Sequence, residues 1–231
     1  MLLENASAVF KKMSHAAMKA GRRPEEIRLV VVTKTVGINE IKQALDAGLR
    51  IFGENRVQEA KEKIANLKSE VSNSHAEWHL IGHLQSNKAK QAVGLFDLIH
   101  SVDSEELAAD LDREAAKNGK IQRVLIQVKL SQEETKSGTA EKALPCLVEK
   151  TAGLGNLKLE GLMTIPPFFD EPERARPYFR RLRELRDDLR KEGFDLPELS
   201  MGMSGDFEVA IEEGATLVRI GTAIFGERRL K

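Results

Sequence analysis

The sequence predicts a closed (β/α)8 barrel. Eight apolar segments rich in β-branched residues alternate with helix-like segments along the whole chain. Gly48, Gly94, Gly119, Gly193 and Gly214 fall where the helices should stop. No G-x-G-x-x-G follows the first strand, which counts against the rival doubly wound open sheet. At 231 residues the chain is near the short end for such a barrel, so residues 1–231 are expected to form one domain.

The strands are expected at residues 28–34, 51–55, 78–83, 98–104, 123–130, 157–165, 198–204 and 217–225. Helical patterns follow, for example at 38–47, 57–67, 87–93, 105–117 and 140–151. An extra helix at about residues 3–20 precedes the first strand. Too little chain follows the eighth strand for a full helix, so the extra helix is expected to fill that gap in the outer ring. Residues 170–192 are dense in arginine and acidic side chains. They read as a solvated helix laced by i,i+4 pairs, Arg180 with Glu184 and Arg183 with Asp187, rather than as a binding patch.

Thirty-six basic residues balance thirty-six acidic ones, which argues against a dedicated nucleic-acid or membrane-surface protein. The only cysteine, Cys146, has no intrachain partner, and it reads as a small core residue. A reducing compartment is implied. The start, Met1-Leu2-Leu3-Glu4-Asn5, lacks signal-peptide character, and no apolar run reaches the ~20 residues of a membrane span. The expectation is a soluble cytoplasmic protein.

Barrel enzymes work at the C-terminal ends of their strands. Lys34 closes the run Arg28-Leu29-Val30-Val31-Val32-Thr33-Lys34, an odd place for a strongly hydrated ammonium. It is either a strand-end lysine reaching to solvent or a desolvated amine able to form a Schiff base with an aldehyde. Strand alternation puts Val30, Val32 and Lys34 on one face, Ser200, Gly202 and Ser204 on another, and Arg219 with Gly221 on the last strand. Ser204-Gly205 and Gly221-Thr222 follow the seventh and eighth strands, where barrels often bind phosphate. Each pair alone is ordinary turn chemistry, but together they supply hydroxyls and accessible backbone N–H groups. Arg219 adds a fixed cation, although an ion pair with a helix carboxylate would also explain it. An amine, an arginine and a phosphate cradle together suit pyridoxal 5′-phosphate. His79 and His83 are spaced i,i+4 on a strand and lack a third ligand for zinc. Glu54 and Asp103 also end strands but are too far apart in sequence to judge as an acid/base pair. Neither G-x-S-x-G nor a Walker motif occurs.

The blocks Val31-Val32-Thr33-Lys34-Thr35, Phe52-Gly53-Glu54-Asn55-Arg56-Val57-Gln58-Glu59, Trp78-His79-Leu80-Ile81-Gly82-His83-Leu84-Gln85-Ser86-Asn87-Lys88, Lys136-Ser137-Gly138, Gly161-Leu162-Met163-Thr164-Ile165, Leu199-Ser200-Met201-Gly202-Met203-Ser204-Gly205-Asp206 and Val218-Arg219-Ile220-Gly221-Thr222-Ala223-Ile224-Phe225-Gly226 run from first strand to last. In this order they resemble the YggS/PROSC family of pyridoxal phosphate homeostasis proteins. The resemblance implies a barrel like the N-terminal domain of alanine racemase, with pyridoxal phosphate held as a Schiff base on Lys34. It implies phosphate contacts near Ser204, Gly221 and Thr222, and Arg219 facing the ring nitrogen. Asn55, Met163 and Ser200 would line the pocket. It also implies a role in supplying the vitamer, without robust catalytic activity. The expected partners are the cofactor and client apo-enzymes, with no nucleic acid and no membrane, and the chain is expected to be a monomer.

The alternative is a pyridoxal-phosphate-dependent racemase or lyase, and a third reading is a barrel for another phosphorylated metabolite. A charged arginine donates to the ring nitrogen and leaves it unprotonated, which weakens the ring as an electron sink. Alanine racemases share that arginine, so it does not decide alone. A two-base racemase also needs a group on the other cofactor face, a tyrosine in alanine racemase. The one tyrosine here, Tyr178, falls in the charged helix. With no lid, the cofactor is expected to be open to water, which suits exchange better than carbanion chemistry.

Overall fold

The computed structural model describes residues 1–70, 76–131, 133 and 137–226. Lys136, in one of the blocks quoted above, lies outside them. The strands are β1 (Arg28–Val32), β2 (Ile51–Glu54), β3 (Glu77–Leu80), β4 (Leu98–Val102), β5 (Gln122–Lys129), β6 (Thr139–Ala140), β7 (Leu157–Met163), β8 (Glu198–Ser200) and β9 (Leu217–Ile220). All pair in parallel, and the β1–β9 and β4–β5 pairings close a ring of eight. The two-residue β6 adds to the end of β5 outside that ring, so the seventh and eighth barrel strands are β8 and β9.

The helices are α1 (Leu2–Lys19), α2 (Ile38–Asp46), α3 (Val57–Glu70), α4 (Ala89–Leu95), α5 (Glu105–Lys117), α6 (Leu144–Ala152), α7 (Arg176–Lys191), α8 (Phe207–Glu212) and α9 (Thr222–Phe225). Period-two alternation builds two apolar layers. Val30, Val32, Ile81, Leu98, Leu125, Met163 and Leu217 fill the barrel. Their neighbours Val31, Phe52, Leu80, Ile99, Val124, Leu162 and Val218 pack outward under the helices. Helix α1 packs on α8 and α9, with Asn5 Nδ2 donating to Ile224 O at 3.0 Å, and so fills the ring as expected.

Local chemistry sets the boundaries. Ser104 caps α5 by accepting the Leu107 N–H at 3.2 Å. Gly48, Gly119, Gly193 and Gly214 follow helices with φ between 62° and 104°, a region unfavourable for other residues. Gly94 does not: it lies inside α4, one residue before its end.

The expected strands overrun the observed ones at their C-terminal ends. Seven run one to four residues past the observed strand end, because the chain leaves its neighbours at the barrel mouth. The stretch 217–225 is the extreme case: β9 stops at Ile220 and Thr222–Phe225 turns into α9.

The i,i+4 pairs expected in α7 are also replaced. Arg180 and Arg183 turn to Glu213, at 2.9 and 3.1 Å. That carboxylate is only 5% exposed, so it attracts guanidinium groups more strongly than the solvated Glu184 and Asp187.

Candidate functional site

Lys34, half-buried, follows β1 by two residues. It shares a cavity of about 250 Å³ with Val32, Phe168, Phe169, Ser204, Asp206, Arg219, Gly221 and Thr222, among others. This cavity opens at the C-terminal mouth of the barrel, over the ends of β1, β8 and β9. A larger groove of about 580 Å³ runs along α1, but its lining is mainly apolar and only Lys11 carries charge. The convergent polar groups are at the mouth, and that is where the chemistry points.

The turn that presents Lys34 is held from below. Thr35 adopts φ 62°, unusual for a β-branched residue. Its N–H donates to Glu59 Oε1 at 2.6 Å, and its hydroxyl donates to Lys34 O at 2.6 Å. Lys63 Nζ ties the cluster together, donating to Thr33 O at 2.5 Å, Glu59 Oε1 at 2.6 Å and Glu54 Oε1 at 2.8 Å. Burial raises the Glu54 pKa, against the opposing hydrogen bonds from Lys63 and Thr33. Glu54 therefore braces the lysine turn from outside the barrel. Asp103 sits elsewhere, 3.3 Å from His83 Nδ1.

Arg219 enters from β9 and is 3% exposed. Nη1 donates to Ser200 Oγ at 2.6 Å and Nη2 donates to Thr164 O at 2.9 Å. Burial lowers its pKa to about 10, opposed by the charge of Asp206, so it stays protonated at neutral pH. The remaining N–H groups of its five are left for the cavity.

The cradle beside it is built from two turns. Ser204 Oγ accepts the N–H groups of Gly221 and Ala223, both at 3.4 Å. Bonds this long are weak, so these donors can turn to an anion. A Cβ at Gly221 would stand 3.1 Å from Val32 O, so a side chain there would crowd the cavity wall. Asp206 Oδ1 accepts the Met203 N–H at 2.6 Å and fixes the same loop. Burial raises the Asp206 pKa, opposed by that bond and by Arg219.

The sequence-selected residues therefore fall into two groups. Lys34, Ser204, Arg219, Gly221 and Thr222 line one cavity. Ser200 lies behind it, bonded to Arg219. Met163 packs with Val32 in the barrel interior. Asn55 follows β2 at the same mouth, where its backbone meets Gly82 so closely that a Cβ would stand 2.3 Å from Asn55 O. Gly202 does not continue the Ser200 face. The strand has ended, its φ is 91°, and a Cβ would strike Ala210 of α8.

Phe168, Phe169 and Asp206 were not selected from the sequence. Phe168 and Phe169 sit on the loop after β7, where no periodicity marks them. Cys146 is exposed rather than a core residue; its thiol faces Glu105, 3.4 Å away. His79 and His83 part company. His79 is wholly buried in the barrel, whereas His83 lies past β3 and is half-exposed. Among the described residues, no cluster of three or more His, Cys, Asp or Glu is placed to hold a metal.

Residues 6–229 match the family described as alanine racemase, N-terminal domain. A pyridoxal phosphate homeostasis protein of Aquifex aeolicus is 49% identical over 98% of both chains. One of Escherichia coli K12 is 41% identical, covering 98% of this chain and 97% of its own. Among solved structures, PipY of Synechococcus elongatus with PLP bound superposes with a TM-score of 0.86 at 36% identity, covering 98% of this chain and 100% of PipY. The barrel, the mouth cavity and these relatives agree: the chain belongs to the alanine racemase N-terminal-domain family, in the group whose curated relatives are named pyridoxal phosphate homeostasis proteins.

Proposed function

We propose that this protein binds pyridoxal 5′-phosphate at the barrel mouth and serves its intracellular homeostasis, holding the cofactor and releasing it to client apo-enzymes. The convergence of Lys34, Arg219 and the Ser204/Gly221/Thr222 cradle on one cavity carries the reading. The donor set fits each part of the ligand. Lys34 supplies the amine for a Schiff base with the aldehyde. Arg219 offers N–H groups to the ring nitrogen. Ser204 Oγ, Thr222 Oγ1 and the Gly221 and Ala223 N–H groups would hold the phosphate. Met163, Ser200 and Asn55 would complete the surroundings of the cofactor. When bound, the cofactor supplies an electrophilic carbon and an electron-withdrawing ring.

Holding rather than turning over amino acids follows from two features. Arg219, charged at neutral pH, leaves the ring nitrogen without a proton. Of the ionisable side chains lining the cavity, Lys34 and Arg219 have cofactor roles, and Asp206 is tied to the Met203 N–H. Tyr178 packs outside, its ring 5.8 Å from that of Phe169. A cytoplasmic monomer is part of the same proposal.

The test is the visible spectrum of the purified protein. An imine band is expected, abolished in Lys34→Ala, with a borohydride-fixed mass adduct mapping to Lys34. A reducible adduct on another lysine would overturn the assignment. Solvent exchange of amino-acid α-hydrogens, followed by NMR in deuterated buffer, separates carrier from enzyme. Exchange at ~1 s⁻¹ or faster would establish the racemase or lyase reading instead.

A further inference from the structure

A line of buried polar groups crosses the barrel beneath the cavity. Arg219 Nη1 donates to Ser200 Oγ at 2.6 Å. Ser200 Oγ lies 2.8 Å from His100 Nδ1. His100 Nε2 lies 2.9 Å from His79 Nδ1. His79 Nε2 lies 2.9 Å from Glu77 Oε1. Ser200, His79 and His100 have no exposed surface. Glu77 stands at the opposite mouth of the barrel, where Arg123 Nη1 holds it at 2.6 Å and Arg28 pairs with Glu198 at 2.8 Å.

Hydrogen-bond chemistry gives this line a direction. Glu77 is a carboxylate and can only accept. Its pKa is held at about 2, chiefly by the bond to His79 and also by Arg123. His79 Nε2 must therefore carry the proton and donate. If His79 is neutral, its Nδ1 accepts, so His100 Nε2–H donates to it. His100 Nδ1 then accepts from the Ser200 hydroxyl, whose oxygen is left to accept from Arg219. Every bond runs from Arg219 toward Glu77. A doubly protonated His79 would reverse the middle bonds, but burial disfavours it and outweighs the attraction of Glu77, with Arg123 and Arg28 adding repulsion.

The strand that carries His100 is irregular beside it. Between Ile99 and Val102, β4 carries one residue more than β5 opposite. The bulge falls at His100 and Ser101: His100 keeps the interior phase of Leu98, and the extra residue turns Val102 outward.

We propose that Glu77, His79 and His100 are positioning residues for Arg219: a one-way hydrogen-bond chain, anchored on the carboxylate at one mouth, presents Ser200 as an acceptor and so fixes the guanidinium at the other. The proposal rests on the reading that Arg219 faces the cofactor's ring nitrogen.

The first test needs no cofactor. Two-bond 1H–15N spectra of histidine-labelled protein should show His79 and His100 neutral and protonated at Nε2. An Nδ1–H tautomer or an imidazolium at either position at neutral pH overturns the chain. Glu77→Gln keeps the shape but replaces an obligate acceptor with an amide that can also donate. It should populate the Nδ1–H tautomer of His100.

The second test uses pyridoxal phosphate labelled with 15N in the ring. In Glu77→Gln and Ser200→Ala, the ring signal should move toward that of a water-bonded or protonated pyridine. Affinity should fall about three- to tenfold, while the Lys34 adduct still forms. Altered tautomers with an unmoved ring signal overturn the positioning role. The premise has its own control. If Arg219→Lys leaves the ring signal where it is, Arg219 does not face the ring nitrogen, whatever the histidines show.

Discussion

Thr35 and Lys34 show what a single residue needs in order to present a functional group. A threonine at φ 62° carries a cost on the order of 1 kcal/mol or more unless its surroundings hold it. Glu59 and Lys63 do so from α3, through the Thr35 N–H and Thr33 O. Glu59→Ala should therefore cost about 1–3 kcal/mol in urea unfolding and also weaken cofactor binding by loosening the Lys34 turn. Wild-type stability together with a wild-type absorbance titration would contradict this account. In the cradle, Ser204→Ala/Thr222→Ala removes two hydroxyls but leaves the backbone N–H groups. Each lost donor should cost about 1–3 kcal/mol, or roughly ten- to hundredfold in affinity. Unchanged binding would place the phosphate elsewhere. Lys34, Ser204, Arg219, Gly221 and Thr222 were legible because strand ends and turn residues leave local marks. Glu59 and Lys63 were not, since their role arises only when α3 packs back across β1. His100 shares the interior face of Leu98, but its partners Ser200 and His79 come from distant strands that only the closed barrel brings together.

At the scale of elements, the order of strands and helices was legible and their ends were not. The apolar period persists past the strand end, as at Ile165, which packs on the barrel interior two residues beyond β7, and only Gly221 hints that β9 gives way to a helix. Helix α7 shows a second limit. Its arginines read as partners for acids on their own helix. Instead Arg176, Arg180 and Arg183, spaced i, i+4, i+7 on one face, converge on Glu213 just past α8. A sequence period cannot reveal a carboxylate that tertiary packing buries. Burial raises the pKa of Glu213, but hydrogen bonds from Arg180 and Arg176 and the charge of Arg183 prevail and lower it. A carboxyl group with a depressed folded pKa contributes stability above its unfolded value, near 4.5, and loses it as pH falls through the folded value. Glu213→Gln should lower stability by about 1–3 kcal/mol at pH 7 and remove part of the acid-side slope. A variant as stable as wild type at pH 7 would show that the arginine stripe is only solvated charge.

For the whole molecule, the closed barrel forces polar groups into a dry interior, and pH exposes the consequence. His79 and His100 are fully buried. Burial lowers both pKa values, His100 strongly, with the charge of Arg219 adding to the effect there. The unfolded chain takes up protons on these rings as pH drops through about 6.5, while the folded barrel keeps them neutral. The unfolded state then binds more protons, so stability rises with pH in that window and is lost as pH falls below it. The limiting slope is about 1.4 kcal/mol per pH unit for each histidine, or about 2.7 for both. Glu77 adds nothing until pH falls below about 4.5, because its folded pKa is about 2. Urea unfolding of the wild-type protein should therefore show nearly constant stability from pH 8 to 7 and a decline from about 6.5 to 5. Replacing either histidine with asparagine should lower stability at pH 8, since a partner in the chain is lost, yet flatten the decline. Histidine-to-asparagine variants whose profiles from pH 7 to 5 keep the wild-type slope would mean that the barrel interior admits the protons, and the neutral one-way chain beneath Arg219 would fall with it.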